Sequence, residues 1–259
     1  MRKLLSANFS RLWKDKIFLA ILAFITVGTF TVNCLNCFGS RTFDGATVYV
    51  EDMAFNWIFV VGILWAIFIC FYIGAEYEQG AIRNKIVVGH SRAQVYFSDL
   101  FLCSAVSAAL MVGMLVCAGI AGYLFFPQFL FTWKEHLFIL LCCVLNAVTF
   151  SAIYTGIAMV VPGKAYSMLL CSIVFAVLFA VAFALFNSLQ ALQEIANPDY
   201  VDEMQPVFEF VYDLLPTGQM ASMNELELTR MHRWPLLSVL LASVVTWIGF
   251  WAFKKKDIK

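Results

Sequence analysis

The sequence predicts an all-α polytopic membrane protein with six transmembrane helices. Of its 259 residues, 62% are hydrophobic and only 13% are charged, whereas an average soluble domain is about half apolar and about a quarter charged. The apolar residues form six long runs without Asp, Glu, Lys or Arg, and about 20 such residues span the hydrocarbon core as a helix. The runs show no polar–apolar alternation, which excludes transmembrane strands. The predicted spans are residues 17–37, 55–73, 100–126, 137–161, 167–189 and 235–253 of a single transmembrane domain, 1–259.

The charge balance and the lack of catalytic motifs exclude several other classes of protein. The formal net charge is zero and there is no basic tract, so we expect no nucleic-acid partner. The sequence contains no H-E-x-x-H, G-x-S-x-G or G-x-x-x-x-G-K-[ST] pattern, which are the motifs of zinc peptidases, serine hydrolases and nucleotide-binding loops. We therefore expect no catalytic residue, no metal site and no cofactor on this chain.

The segment before the first span is basic and partly apolar. Apolar side chains recur at helical spacing at Leu5, Phe9 and Leu12, with five Lys or Arg residues around them. This pattern predicts a short helix over residues 1–16 that lies in the membrane interface, with membrane lipid as its partner. A frayed basic start to the first span is the alternative.

The distribution of basic residues predicts that both termini are cytoplasmic. In that orientation the inner segments carry thirteen Lys or Arg residues and the outer segments carry four. Acidic residues divide the other way, with five inside and twelve outside. The opposite orientation would place most of the basic residues outside, against the positive-inside rule.

The predicted outer link between the fifth and sixth spans, residues 190–234, is long and acidic. It carries eight acidic residues against Arg230 and Arg233, a charge that would attract a cationic amphiphile. Its apolar stretch Val207–Leu215 predicts one or two short helices at the outer membrane face, because a structureless connection of this length is unusual. We interpret the stretch as an outer gate, with a plain structural cap as the alternative. The gate residues are Phe208, Phe210, Leu214 and Leu215.

Polar side chains within the spans are few and uncharged. Glu76 and Asp99 lie only at the cytoplasmic span ends, which argues against proton or ion coupling, because such pathways use ionisable residues within the membrane. The candidate substrate-pathway residues are Asn146, Thr149, Tyr154 and Asn187. The alternative is that these groups form hydrogen bonds between packed helices.

Cys34 and Cys37 form a C-x-x-C pair near the end of the first span. A redox or metal-binding pair is one interpretation of this spacing. The other interpretation is a pair of small residues that help helices to pack, because no second cluster of Cys or His completes a metal site.

The segment after the second span, residues 76–92, contains several helix signals. Gly80 permits a break after the span, Ala81 to Val88 can form two helical turns, and Gly89 suits the residue that follows a helix. Ser91 and Gln94 have the spacing of a capping box, so the third helix is expected to begin before the membrane. The prediction is a short amphipathic helix in a compact inner loop, and the alternative is an ordinary solvated turn.

This segment closely resembles the signature of the ABC-2 type permeases, the six-span membrane subunits of ABC exporters. The matching residues are Gly74, Glu76, Tyr77, Gly80, Ile82, Arg83, Gly89, Ser91 and Arg92. The sequence departs from the signature at Ala81, where a threonine is usual. Asn197-Pro198 and Leu214–Gly218 in the outer link are also similar to this family.

The resemblance implies a working arrangement. The loop after the second span would be the coupling helix that docks on a nucleotide-binding ATPase subunit, and the leader would be the connecting helix. Two such ATPase subunits, with ATP and Mg bound on them, would join two permeases, of which the second is either identical or different. The setting would be the bacterial plasma membrane. The coupling residues would be Glu76, Tyr77, Glu78, Gly80, Ile82, Arg83, Lys85 and Arg92.

The predicted function is therefore export of an amphiphilic or hydrophobic substrate such as an antimicrobial peptide, toxin or drug, without enzymatic activity on this chain. One alternative is a membrane immunity, sensor or scaffold protein that performs no transport. Another is an ion or metal exporter of the same family, for which Cys34 and Cys37 would be the first candidate ligands.

Overall fold

The structure is a computed structural model that describes residues 2–12, 16–43, 49–55, 57–125, 128–161, 163–194, 198–226 and 229–256. The described residues form eleven α-helices and one short 3₁₀ turn, Met231–Arg233. The helices are α1 (Arg2–Leu12), α2 (Lys16–Phe43), α3 (Val50–Ala54), α4 (Ile58–Glu78), α5 (Ala81–Val87), α6 (Arg92–Phe125), α7 (Trp133–Val160), α8 (Lys164–Glu194), α9 (Pro198–Leu214), α10 (Pro216–Asn224) and α11 (Trp234–Lys255).

Six of these helices, α2, α4, α6, α7, α8 and α11, are long and apolar enough to cross a membrane, which confirms the predicted fold class. Several helices extend beyond the predicted spans. For example, α6 begins at Arg92 rather than at residue 100, and α4 continues to Glu78 rather than ending at residue 73. Charged residues end the apolar run but do not break a helix, so the helices extend past the hydrocarbon boundary.

The centre of the bundle is formed by α4 and α7, whose apolar stretches are the most buried of the six. Trp65 of α4 and Phe150 of α7 are fully buried, with ring centroids 5.8 Å apart. Phe175 of α8 packs on the same phenylalanine, with centroids also 5.8 Å apart. By contrast, α8 and α11 leave most of their apolar side chains on the outside of the bundle, where lipid or another chain can cover them.

The central helix α7 and the outer helix α11 approach each other at a pair of glycines, Gly156 and Gly249. A Cβ atom added at Gly249 would lie 3.0 Å from the Cα of Gly156 and 2.5 Å from the hydroxyl oxygen of Tyr96. Small residues of this kind let transmembrane helices approach closely, and their contact replaces the hydrophobic driving force that lipid removes.

Helices outside the spans fill both ends of the bundle. At one end α5 follows α4, and α1 packs against α6; at the other end α9 and α10 form the link, and α3 lies against α6. The short α3 was not predicted. Its Glu51 accepts hydrogen bonds from the backbone N–H groups of Leu130 and Phe131, which fixes the connection between α6 and α7. The membrane orientation and the interfacial position of α1 stay predictions from the charge distribution.

Candidate functional site

The loop between α4 and α6 has the local structure that the sequence predicts. Gly80 follows the last turn of α4 with φ +65°, and Gly89 follows α5 with φ +101°, a backbone region that favours glycine. Ser91 and Gln94 form the capping box of α6, because each side chain bonds the backbone N–H of the other at 3.2 Å. The loop is shorter than residues 76–92, since Glu76 and Glu78 belong to the last turn of α4.

The helix of this loop, α5, has two unlike faces. Ile82 points inward and is 1% exposed. Four residues on the opposite face are exposed, and we call them the docking face: Arg83, Asn84, Val87 and Val88. Val87 and Val88 are 77% and 79% exposed. Two adjacent, highly exposed valines beside an arginine are typical of a surface that is buried against a protein partner.

A cluster of charged and polar side chains lies behind α5, and we call it the coupling-end cluster: Asn8, Arg11, Glu76, Lys85 and Asp99. The ammonium of Lys85 lies 2.8 Å from both carboxylate oxygens of Glu76 and 3.2 Å from Oδ1 of Asp99. Asn8 donates to the same oxygen of Asp99 at 2.7 Å. Arg11 lies 3.5 Å from Glu76 and also donates to Gln79.

Because the carboxyl groups of this cluster are buried, its contacts are costly to break. Glu76 is 1% exposed and Asp99 is fully buried, and a buried carboxylate is costly unless it is paired and hydrogen-bonded. Lys85 supplies the positive charge that lies between the two carboxylates. Because the cluster draws on α1, α4, α5 and α6, a displacement of α5 would either move these helices with it or expose buried charge.

The two residues that follow Glu76, Tyr77 and Glu78, contact α7 and α8. The hydroxyl of Tyr77 donates to the backbone carbonyl of Met159 near the end of α7. Lys256 donates to the same carbonyl at 3.0 Å and lies 4.0 Å from the Tyr77 ring centroid. Burial lowers the pKa of the Lys256 ammonium to about 8. Glu78 pairs with Lys164 at the start of α8 at 2.7 Å. Three successive side chains at the end of α4 therefore contact different helices.

Arg92, the first residue of α6, caps the end of α11. Its Nη1 donates to the backbone carbonyls of Lys254 at 2.6 Å and Lys256 at 2.7 Å. The last carbonyls of a helix have no partner within the helix, so a guanidinium satisfies them and interacts favourably with the negative end of the helix dipole. Arg92 thus connects the loop between α4 and α6 to α11.

Only part of the predicted coupling set faces outward. Arg83 lies on the docking face and Glu78 is exposed, whereas Glu76, Ile82 and Lys85 face the bundle. Their roles in coupling stay predictions. Sequence reasoning missed Asn8, Asp99 and Lys256 as members of this site. Asp99 could have been found, because it is the only charge in an otherwise uncharged stretch from residue 93 to residue 126.

The opposite end of the bundle contains an uncharged hydrogen-bond network around Gln219 of α10. Its side-chain oxygen accepts from Ser238 Oγ at 3.0 Å and from Asn146 Nδ2 at 3.2 Å. Its side-chain nitrogen donates to the backbone carbonyl of Asp213 at 2.8 Å. Thr149 donates to the carbonyl of Ser238 at 3.2 Å. The network fastens α10 to α7 and α11, the arrangement expected of helix-packing polar groups.

Asp213 and Glu209 of the link are paired within the protein. Arg230 lies 3.1 Å from Glu209 Oε1 and 3.5 Å from Asp213 Oδ2, and Trp234 donates to Asp213 Oδ1 at 3.3 Å. Burial raises the pKa of the Asp213 carboxyl above its ordinary value, against the opposing effect of Arg230. Two of the eight acidic residues of the link are therefore not free to attract a cation.

The remaining predicted pathway and gate residues are spread over several surfaces. Tyr154 is fully buried in α7, and its hydroxyl lacks a hydrogen-bond partner among the described residues, whereas Asn187 is exposed on α8. Within the link, Phe210 is 52% exposed and three further gate residues are half-buried: Phe208, Leu214 and Leu215. Their roles in transport stay predictions. Asn197 and the side chain of Pro198 lie outside the described residues.

The cysteines form neither a disulfide nor a metal cluster in the part of the chain that the structure describes. Cys34 is half-buried and free, and the Cys37 side chain lies outside the described residues. Cys70 of α4 and Cys171 of α8 are buried with their Sγ atoms 3.5 Å apart, as a contact between thiols. The C-x-x-C pair thus keeps both of its interpretations.

A family model described as "ABC-2 family transporter protein" matches residues 4–182. The match covers the leader, the first four spans, the loop with the docking face and most of the fifth span. No curated protein gives a significant match to the chain.

Proposed function

The chain belongs to the ABC-2 transporter family, and from this membership we propose that it is the permease subunit of an ATP-driven exporter. The family implies a multi-pass membrane permease that works with a separate ATPase subunit. We assign ATP hydrolysis, with its Mg²⁺, to that partner, and we propose that two permeases and two ATPase subunits form the working transporter in a bacterial plasma membrane.

The observation that carries this proposal is the combination of the docking face with the coupling-end cluster. Val87 and Val88 are held almost fully exposed, while Lys85 on the opposite face of the same short helix is bonded to Glu76 and Asp99. An element that presents apolar surface to a partner and is fixed to the spans behind it suits the transmission of movement between two proteins.

The contacts support a path for that movement. A shift of α5 by the ATPase subunit would pass through Lys85 to α4 and α6. From the last turn of α4 it would reach α7 through Tyr77 and α8 through Glu78. A substrate completes the cycle only if it binds the two states of the permease with different affinity, because differential binding is what shifts a conformational equilibrium.

The substrate class that we propose is an amphiphilic or hydrophobic molecule, and the direction is export. Two features support this choice. The apolar side chains of α8 and α11 are largely exposed on the outside of the bundle, where a second permease or a lipid-soluble substrate can contact them. The link is acidic overall, although Glu209 and Asp213 are already paired with Arg230.

The test is to change the docking face without touching the cluster. We expect the double variant Arg83→Glu with Val88→Glu to lose co-purification with the ATPase subunit and substrate-stimulated ATP hydrolysis, while thermal stability stays unchanged. Both side chains are exposed, so the fold does not depend on them. Reversal of Lys85 is a poorer test, because it would place a third carboxylate beside Glu76 and Asp99.

Tyr166→Glu provides the matched control. Tyr166 is 73% exposed at the start of α8, near the same end of the bundle but outside the docking face. This variant should retain the ATPase subunit. If the Arg83 and Val88 double variant retained both the subunit and normal stimulation, the coupling assignment would be wrong and a membrane protein without transport activity would become the better hypothesis.

A further inference from the structure

An aromatic cavity lies at the link end of the bundle, between α8, α10 and the first turn of α4. Its volume is about 160 Å³. The lining includes four phenylalanines and three polar residues: Phe59, Phe179, Phe183, Phe186, Thr217, Asn224 and Glu225. Phe59 and Phe179 meet edge to face with ring centroids 5.1 Å apart. The cavity is separate from the coupling-end cluster and from the network around Gln219.

Helix spacing and close packing build this cavity. Its α8 residues lie at positions 179, 182, 183 and 186, which share one helix face, and its α10 residues lie at 217, 221 and 224, which also share a face. Thr217 donates to the carbonyl of Leu178 at 2.8 Å and fixes α10 against α8. Close by, a Cβ atom added at Gly62 of α4 would lie 2.8 Å from the Phe175 ring and 3.4 Å from Met220.

The charge at the rim of the cavity is not neutralised within the described chain. Glu225 is exposed, its carboxylate accepts a long hydrogen bond of 3.4 Å from Asn224, and no ion pair involves it among the described residues. Glu209 and Asp213 differ in this respect, because Arg230 pairs with both. A carboxylate beside four phenylalanine rings is chemistry that recognises an organic cation, since ring faces attract positive charge.

The volume limits what can enter. A cavity of about 150 Å³ accommodates benzene, so a cavity of about 160 Å³ holds a single ring or one small quaternary ammonium group. Any longer tail would extend along the neighbouring face of α8, where Val177 and Val181 are 55% and 42% exposed. We propose that this cavity binds the cationic head of an amphiphilic organic cation, an inference that rests on the proposed transport function for its biological role.

The test uses a matched pair of small probes. Full-length protein in phosphatidylcholine nanodiscs is titrated with tetramethylammonium and with its neutral isostere neopentane, and binding is followed by saturation-transfer NMR. We expect Glu225→Gln to weaken binding of the ammonium about five- to tenfold and to leave the neutral probe unchanged. Phe183→Ala should weaken both probes, and Asn224→Asp should strengthen the ammonium alone by adding a second carboxylate.

Phe101→Ala is the control, because Phe101 is 58% exposed, almost the same as Phe183 at 59%, but lies outside the cavity on α6; this variant should bind both probes like the unmodified protein. Absence of ammonium binding, or equal binding by the unmodified protein and the Glu225→Gln and Phe183→Ala variants, would overturn the proposal. These measurements need neither ATP nor the ATPase subunit. If the probes fail to bind but the Arg83 and Val88 double variant loses the ATPase subunit, the cation site alone is refuted. If the probes bind as expected but the double variant retains the subunit and its stimulation, the proposed function is refuted.

Discussion

The two ends of the bundle bury polar side chains in different ways. At the coupling end, charged and polar side chains from α1, α4, α5 and α6 meet around Lys85, with the carboxyl groups of Glu76 and Asp99 almost completely buried. At the link end, the groups that join α7, α10 and α11 are neutral amides and hydroxyls around Gln219, and the buried carboxylate nearby, Asp213, pairs with Arg230. Removal of a charge leaves a buried ion unpaired, whereas removal of an amide leaves only hydrogen bonds unmade. The coupling end should therefore be the more sensitive of the two to substitution.

The largest effect is expected at Lys85. Lys85→Met leaves the buried Asp99 without a cation and leaves Glu76 with Arg11 alone, and breaking a buried ion pair in this way costs about 3–5 kcal/mol. The measurement is the thermal unfolding midpoint of the purified protein in detergent. Arg83→Met is the matched control, because Arg83 is exposed on the same helix. Equal midpoints for the two variants would mean that the cluster does not hold α5 in place.

A smaller loss is expected at the link end. Gln219→Leu removes one acceptor and one donor that serve Asn146, Ser238 and the carbonyl of Asp213. Each hydrogen bond of this kind contributes about 0.6–2 kcal/mol between membrane helices, so we expect a loss of about 2–3 kcal/mol. Gln205→Leu, a half-buried position on α9, is the control. A loss at Gln219 larger than that at Lys85 would reverse the comparison between the ends.

Arg92 should show a local effect. Arg92→Met removes the cap on the last turn of α11, and a cap of this kind contributes about 1 kcal/mol. Hydrogen exchange should therefore accelerate at residues 253–256 but not in the middle of α11. Lys255→Met is the comparison, because the Lys255 ammonium lies over the Trp251 ring, 3.6 Å from its centroid. Exchange that is unchanged in the Arg92 variant would contradict the capping role.

The smallest effect concerns pH. The raised pKa of Asp213 means that the folded protein takes up its proton at a higher pH than the unfolded chain does. Asp213 therefore costs stability when it is ionised, and this cost disappears as the pH falls through its raised pKa. We expect the difference in midpoint between Asp213→Asn and the unmodified protein to favour the variant at pH 7 and to shrink on acidification. A difference that stayed constant with pH would show that Arg230 offsets the burial completely.

The sequence was most informative where structure depends on near neighbours. Gly80, Gly89 and the Ser91–Gln94 capping box are local signals, and all three were predicted. The length of the apolar runs likewise predicted the number of spans. These features require no knowledge of what lies on the neighbouring helices.

The assembled sites could not be predicted in the same way. Asn8 and Asp99 are 91 residues apart in the chain, and a carboxylate at the end of a span looks the same in the sequence whether it faces water or a lysine. The phenylalanines at 179, 183 and 186 have the spacing of one helix face. In a helix that is apolar all round, however, every face has such residues, so the spacing did not distinguish the cavity.

The cap on α11 has a consequence for biosynthesis. Lys85 is separated from Glu76 by 9 residues and from Asp99 by 14. These two ion pairs can therefore form as soon as the second and third spans have been inserted. Arg92 bonds carbonyls that lie 162 and 164 residues further along the chain. Chains acquire structure from the N-terminus as they are synthesised, so these carbonyls emerge from the ribosome long after Arg92 does. A nascent chain thus carries an incompletely anchored loop until α11 is in the bilayer.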